Sequence, residues 1–453
     1  MALAAEAVEG TVLQTALRKA RWRLIPLLSI CYLVAFMDRA NISFAAETMN
    51  RDLHFTPKIY GLGAGLFFLS YALCEIPSSR MLLRFGARRW LARIMLTWGL
   101  LAAAMVLIRT PASFYSMRLL LGVAEAGYFP GAIFYLSGWF PAGERARAIG
   151  LFYMAYPLSN VVMGGLAGVL LRQNGKLGLA GWQWLFLVEA IPAIVLSFVV
   201  WFCLSEGPAT AKWLSAEERE ALVAELEREP ARRAGVETDV PEAGHGAPIS
   251  SRVSGTRRAL TSGWAWTVGL YFFFMLGSSY AMIFSLPVIL KGLTKWDAAH
   301  VGYLIAGFGI VGAVAMVGNA AHSDKKRELR WHIVIPTVGI AVSYLMAGVH
   351  LAGWGAVAML FVASTCYFGL QGPITSLPSR VFSGEAGAVA IAMMTMCGIA
   401  GGFVGPYWMG WMREVTGGYA VGVGGLFVPA LLASFCMLAL LRHMGLDEKS
   451  AVE

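Results

Sequence analysis

The chain has 453 residues, of which 58% are hydrophobic and only 14% are charged, and its net charge is +9. Since a soluble protein carries about 25% charged residues, this composition excludes an ordinary soluble domain and predicts an all-α polytopic membrane protein. The basic residues lie in short clusters between apolar runs, which is typical of membrane topology signals. We therefore expect membrane lipid around the chain and no nucleic acid among its partners.

Apolar runs long enough to cross the hydrocarbon of a bilayer, about twenty residues each, recur along the whole sequence. Sliding a window of that length along the chain predicts a set of membrane spans with short connections between most of them. The twelve predicted spans are residues 24–45, 59–79, 90–108, 112–138, 147–171, 182–204, 264–290, 299–321, 331–349, 354–379, 387–411 and 418–441.

Charges in the loops predict the orientation and the division of the chain. Lys and Arg cluster before span 1, between spans 2 and 3 and between spans 8 and 9, which predicts that both termini are cytoplasmic. A segment of mixed charge, 205–260, begins with a predicted amphipathic helix and is interpreted as a cytoplasmic linker. It joins an N-terminal six-helix half, 1–204, to a C-terminal half, 261–453.

Spans 1 and 4 each hold two charged residues, and a charge near the centre of a membrane helix costs roughly 2.5–3.5 kcal/mol. Asp38 and Arg39 are adjacent in span 1, and Arg118 and Glu125 are seven residues apart in span 4, on one helix face. Spans 1 and 4 run in opposite directions, and the depths of these residues match. The sequence therefore predicts two pairs, Asp38 with Arg118 and Arg39 with Glu125.

These pairs are either static salt bridges or parts of a transport site. A buried ion pair is a poor stabiliser, because desolvation can exceed the Coulomb gain, so a transport role is favoured. Arg39 is the candidate for the substrate carboxylate, since a guanidinium offers two parallel donors and stays charged. Asp38 and Glu125 are candidate proton sites, and Arg118 is their partner in proton coupling.

Other polar residues within the spans have a less specific pattern. Glu75 is expected to cap or tether the basic loop after span 2, and Glu189 is expected to bond to backbone near a proline kink. In the second half the polar candidates are neutral: Thr375 and Ser376 in span 10 and Thr395 in span 11. We interpret these three as hydrogen-bonding positions for a substrate.

Several stretches resemble the anion:cation symporter family of the major facilitator superfamily, and in particular its bacterial tartrate, phthalate and hydroxyphenylacetate permeases. They are YLVAFMDRANISFA, RLLLGVAEAGYFPGAIFYLSGWFPAGERARAIG, GWQWLFLVEAIPA, PATAKWLSAEER and GGFVGPYWMGW. The resemblance implies the major facilitator fold, with 12 transmembrane helices in two six-helix halves. It also implies proton-coupled import of an organic anion through the bacterial inner membrane by alternating access.

Family motifs fall on particular positions of this chain. The coupling and anion-binding residues of galactonate-type relatives fall on Asp38, Arg39, Arg118 and Glu125, a substrate-facing tyrosine falls on Tyr71, and polar span 10 positions fall on Thr375 and Ser376. Two departures stand out. Thr395 and Ile399 replace two asparagines, which favours a smaller or more apolar carboxylate over a sugar acid, and Leu83 replaces an aspartate of the loop between spans 2 and 3.

Tartrate, phthalates, hydroxyphenylacetate and sugar acids all remain open as substrates. A proton-coupled exporter of the same fold is the alternative, although span 5 lacks the Gly-Pro element of such exporters and two deep arginines would repel cationic drugs. A membrane enzyme is disfavoured because the sequence shows no cluster of metal-ligating or hydrolytic residues. We expect a monomer that is not an enzyme and that uses protons, with no other cofactor.

Overall fold

The computed structural model is helical almost throughout. The parts of the chain that the structure describes are the backbone of residues 2–235, 263–326, 328–350, 352–381 and 384–443, and the side chains of residues 11–141, 143–145, 147–228, 263, 265–326, 328–350, 352–374 and 394–440.

Sixteen α-helices follow one another along the described chain. They are α1 (Ala2–Leu53), α2 (Pro57–Phe85), α3 (Ala87–Ala104), α4 (Pro111–Glu125), α5 (Tyr128–Ser137), α6 (Ala142–Tyr153), α7 (Ala155–Leu171), α8 (Gly181–Cys203), α9 (Ala216–Gly235), α10 (Gly263–Thr294), α11 (Ala298–Lys326), α12 (Arg330–Leu345), α13 (Gly353–Val381), α14 (Gly384–Thr416), α15 (Ala420–Gly425) and α16 (Phe427–His443).

These helices match the predicted membrane spans. Among the described residues, 11 helical segments are long and apolar enough to cross a membrane, and α14 occupies the predicted eleventh span. Spans 4, 5 and 12 are each divided into two helices, α4 and α5, α6 and α7, and α15 and α16. The predicted architecture of twelve spans in two six-helix halves is confirmed.

The linker begins with the predicted amphipathic helix, α9. Its first turn is closed by a reciprocal cap in which Ser215 Oγ accepts from the Glu218 N–H and the Glu218 carboxylate accepts from the Ser215 N–H. The Lys19 ammonium of α1 lies 2.6 Å from the same carboxylate and lowers the pKa of Glu218. Residues 236–262 lie outside the described residues, so the boundaries 1–204, 205–260 and 261–453 stay a prediction.

The two halves touch most closely at one end of the bundle, which we call the distal end and which contains Glu47, Arg172 and Lys291. There α2 packs against α14, and α7 packs against α11. At the second contact Gly164 faces the backbone of Gly302, and a Cβ added at Gly164 would lie 2.2 Å from the Gly302 carbonyl oxygen. Glycine is required because any side chain would separate the halves.

Ion pairs cross between the halves at the same end. Lys291 Nζ lies 2.6 Å from Glu47 Oε2, and Arg172 Nη2 lies 2.9 Å from Asp297 Oδ2. Hydrogen bonds from the backbone and ring of His300, and then from Arg172, hold the pKa of Asp297 below its usual range. Because that pKa is lowered, the ion pair is lost only when the pH falls to the lowered value, so a mildly acidic medium leaves it intact.

Substitution of Gly164 by valine is expected to keep the halves apart at the distal end, since the added methyl groups would overlap the facing backbone. Gly165, one residue along, has no atom within 4 Å of the position that a Cβ would take, and it gives the matched control. Spin labels at the exposed positions Lys176 and Val415 would report the separation. A longer distance in Gly164→Val and an unchanged one in Gly165→Val are expected; equal distances would contradict the close contact.

Candidate functional site

The site is built around a break in the fourth span, directly after Glu125. Helix α4 ends at Glu125, Gly127 has φ +87°, and α5 begins at Tyr128. Ser78 Oγ donates to the Ala126 carbonyl oxygen at 2.6 Å, and a Cβ at Gly127 would lie 2.3 Å from that hydroxyl oxygen. The predicted fourth span, 112–138, is therefore formed by two helices, because the hydroxyl of a neighbouring helix takes over a backbone carbonyl at this point.

Arg39 and Glu125 form the predicted ion pair. Arg39 Nε and Nη2 lie 2.7 Å and 2.6 Å from Glu125 Oε1, and the side chains are 11% and 0% exposed. The guanidinium also lies over the rings of Phe36, Phe67 and Tyr71, with its carbon 5.1, 5.6 and 5.0 Å from their centroids. Aromatic faces attract a cation, so the three rings and Glu125 together hold Arg39 in place.

The predicted contact between Asp38 and Arg118 is not formed in this structure. Arg118 is 1% exposed and donates to the carbonyl oxygens of Gly63 and Ala64 at 3.3 and 3.4 Å. Asp38 Oδ1 accepts from Asn41 Nδ2 at 3.1 Å, whereas Oδ2 has no hydrogen-bond partner. Asp38 and Arg118 therefore do not pair although their predicted depths in the membrane match. Asn41 binds Asp38, and backbone carbonyls of α2 bind Arg118 instead.

Two further carboxyls differ from what the sequence predicted. Glu189 on α8 is 4% exposed, and neither of its oxygens has a hydrogen-bond partner, so the expected bond to backbone is absent. Glu75 is partly buried, and among the described ion pairs none joins it to the basic loop after α2. Among the described membrane helices of the first half, the buried acids are Asp38, Glu125 and Glu189, and the arginines that face them are Arg39 and Arg118.

A cavity lies between the halves, beside Arg39. Its walls come from α1 and α7 of the first half and from α10, α11, α12 and α13 of the second. The residues that line it are Ala40, Ser43, Phe44, Tyr156, Asn160, Ser279, Met282, Ile283, Leu286, Pro287, Ile305, Phe308, Gly309, Tyr344, Leu360, Ala363, Ser364, Tyr367 and Phe368. Apolar and aromatic side chains predominate in this wall.

Arg39 reaches this cavity through an adjoining recess. The recess is lined by Arg39 and Tyr280 and shares Ala40, Tyr156 and Asn160 with the main cavity. A single anionic group at the recess would contact the guanidinium while the rest of the molecule lies in the apolar cavity.

Several residues in and around this cavity and its recess were missed from the sequence. Tyr156 Oη and Tyr367 Oη are 3.3 Å apart and join the halves, and the Phe68 ring lies 4.3 Å from that of Tyr280. Asn160 offers the cavity an amide. Tyrosines and an asparagine in apolar helices carry no spacing signal, so no pattern distinguished them from lipid-facing residues.

The other predicted substrate residues are placed as follows. Tyr71 lies against the Arg39 guanidinium, as the resemblance implied. Thr395 is exposed on α14 and is not among the residues that line the cavity. The side chains of Thr375 and Ser376 lie outside the described residues. Roles for all of these residues stay predictions.

Comparison with known proteins identifies the relatives of this chain as membrane transporters. The sequence model of the Major Facilitator Superfamily matches residues 28–406. A protein of Agrobacterium vitis named "Putative tartrate transporter" is 41% identical over 432 residues, which cover 94% of this chain and 90% of the relative. A "Quinolone resistance transporter" of Acinetobacter baumannii is 35% identical over 416 residues, 90% of each chain.

The fold is also shared with solved structures. The crystal structure of a bacterial homologue of the human lysosomal transporter Spinster, inward-facing and unoccupied, superimposes with a TM-score of 0.73 at 17% identity, covering 94% of this chain and 97% of that one. The family and the relatives are transporters, and the chain is not an enzyme. The match over most of its length and the similarity to these relatives show that the chain belongs to the Major Facilitator Superfamily, in its anion:cation symporter-type branch.

Proposed function

We propose that this transporter imports a small organic carboxylate together with protons, by alternating access through the bacterial inner membrane, with both termini in the cytoplasm. The observation that carries the proposal is the buried Arg39–Glu125 pair at the edge of the cavity between the halves. In that orientation the distal end faces outward, and its close contacts correspond to a state closed to the outside.

Substrate binding is coupled to proton binding because a buried Arg39 without an anionic partner is unfavourable. A buried guanidinium without a partner is strongly unfavourable, so either Glu125 or a substrate carboxylate must face it. When Glu125 takes up a proton it loses its charge, and the substrate carboxylate replaces it on the two donors of the guanidinium. Substrate and proton are therefore bound together or not at all.

The lining of the cavity favours a carboxylate with an apolar or aromatic body. Phe44, Met282, Phe308 and Phe368 contribute apolar surface, whereas hydroxyl and amide groups are fewer. Burial of a ring in such a wall gains free energy in proportion to the apolar area removed from water. A hydroxy acid would instead place some of its hydroxyls against apolar side chains that cannot bond them.

Phthalate and tartrate separate these two substrate classes because both are dicarboxylates. We expect the purified protein to bind phthalate about tenfold more tightly than tartrate, which corresponds to about 1.4 kcal/mol. Isothermal calorimetry gives the affinities. Tighter binding of tartrate would contradict the apolar substrate, and binding of neither acid, nor of hydroxyphenylacetate or a sugar acid, would contradict the carboxylate site.

Proton coupling is tested in proteoliposomes that contain a pH dye. Addition of the substrate should acidify the interior in the absence of an imposed gradient. The alternative, a proton-coupled exporter, is favoured by the similarity to the relative named as a quinolone resistance transporter. In membrane vesicles of known orientation an inward proton gradient should drive uptake; expulsion of substrate by the same gradient would favour the exporter.

A further inference from the structure

Glu189 is a buried acid that takes no part in the proposed replacement of Glu125 by a substrate carboxylate at Arg39. It lies on α8 with 4% exposure, and both carboxyl oxygens are without a hydrogen-bond partner. An ionised carboxylate in that position would lack both a cation and donors, which is unfavourable enough that such a group binds a proton instead. In this structure Glu189 therefore belongs in the protonated form.

The surroundings of Glu189 come from α1, α3 and α7. From α1, Asp38 is the titratable group that faces Glu189, and Asn41 lies beside both acids. From α3, Trp98 is fully buried near Asp38, and its Nε1 has no hydrogen-bond partner. Within the described part of the chain, no charged group of α7 faces Glu189. Arg118 on α4 interacts with Asp38, whereas no arginine of the described residues acts on Glu189.

The three buried acids and two arginines are balanced in charge if one acid is neutral. Glu125 faces Arg39 directly, and Asp38 is the acid that interacts with Arg118 across a longer distance. Glu189 is the acid left over. Two carboxyls side by side without a cation between them do not both ionise, so they hold one proton in common.

We propose that Glu189 is a third proton-binding carboxyl of this transporter, sharing one proton with Asp38 across Asn41. The proposal rests on the proposed proton symport. Transfer breaks the O–H bond of Glu189 and forms one on Asp38 Oδ2, so charge moves from Asp38 to Glu189 and no other reactant takes part. The Asn41 amide has donors and an acceptor, so it can form a hydrogen bond with either acid. The unpartnered indole N–H of Trp98 can donate to Asp38 Oδ2 when Asp38 is ionised.

The first test measures the proton itself. Infrared spectra of the purified full-length protein at neutral pH should contain the band of a buried protonated carboxyl. That band should be lost in Glu189→Gln, kept with a shift in frequency in Glu189→Asp, and kept in Asp38→Asn, since Glu189 still holds the proton there. An unchanged band in Glu189→Gln, or its loss in Asp38→Asn alone, would overturn the assignment to Glu189.

The second test measures transport. Glutamine has no proton to pass to Asp38, so in Glu189→Gln Asp38 loses its proposed proton donor. Proton-driven uptake should therefore be lost or strongly slowed, while substrate affinity and the exchange of internal for external substrate stay unchanged. Glu189→Asp should restore proton-driven uptake, which a merely structural role of the side chain does not predict.

The failure of this inference is distinct from the failure of proton symport. If the unmodified protein shows no substrate-dependent proton uptake, the proposed function fails whatever Glu189 does. If the unmodified protein is coupled and Glu189→Gln keeps both the infrared band and proton-driven uptake, symport stands and the role of Glu189 is wrong. If Glu189→Gln does not fold, Glu189→Asp decides the assignment, because its band should shift in frequency if Glu189 carries the proton and stay unchanged if another acid carries it.

Discussion

Replacement of Arg39 by lysine is expected to weaken substrate binding by about 10- to 100-fold, although the positive charge is kept. The guanidinium presents two parallel donors, and its Nε and Nη2 already use that edge on Glu125. A lysine ammonium is a point charge that cannot form the same paired contact. The loss of one hydrogen bond to a charged group, about 1.5–3 kcal/mol, gives the expected range.

Calorimetry with the tightest-binding carboxylate measures this change directly. Arg93→Lys is the matched control, because Arg93 is half-buried and lies over the Trp90 ring, 3.8 Å from its centroid, without lining the cavity. That variant should bind substrate normally. Unchanged affinity in Arg39→Lys would contradict the role of Arg39 as the carboxylate clamp and would leave the substrate site unassigned.

Replacement of Glu125 by glutamine is expected to abolish accumulation against a gradient while exchange of internal for external substrate continues. Glutamine resembles the protonated acid, so Arg39 would be permanently free for the substrate. Exchange requires no net proton movement, whereas accumulation requires a carboxyl that releases its proton inside. Substrate affinity at neutral pH should therefore stay equal or rise, and the internal concentration should not exceed the external one.

Counterflow and gradient-driven uptake in the same proteoliposomes separate these two activities. Asp38→Asn, measured in parallel, should behave similarly, because Asp38 is the second predicted proton site. Glu144→Gln is the control, since Glu144 pairs with Arg21 away from the buried cluster. Accumulation by Glu125→Gln at the level of the unmodified protein would show that Glu125 is not an obligatory proton site.

The Arg39–Glu125 pair could be predicted because it depends on quantities that a sequence contains. Spacing along a helix fixes the face, the count of residues from the membrane surface fixes the depth, and alternating span direction fixes which depths coincide. The same reasoning failed for Asp38 and Arg118. Their contact depends on which of several nearby groups each side chain reaches, and Asn41 and the α2 carbonyls were closer.

The break after Glu125 and the absence of hydrogen-bond partners at Glu189 are two further features that the sequence did not predict. The glycine at position 127 is compatible with a continuous membrane helix, and the break there requires Ser78 from a different helix, α2. Glu189 before a proline was expected to bond to backbone. Its actual neighbours, Asp38 and Asn41, belong to a helix that precedes it by most of the first half.

Composition, span length and loop charge determined the class of protein, the number of spans and the candidate acids and arginines, because burial in lipid imposes those constraints residue by residue. Motif similarity added the family. Tertiary structure alone decided which acid meets which arginine, where the fourth span breaks, and that aromatic side chains of both halves close around the recess beside Arg39. Those outcomes depend on side chains from separate helices competing for the same few partners, which a linear sequence does not rank.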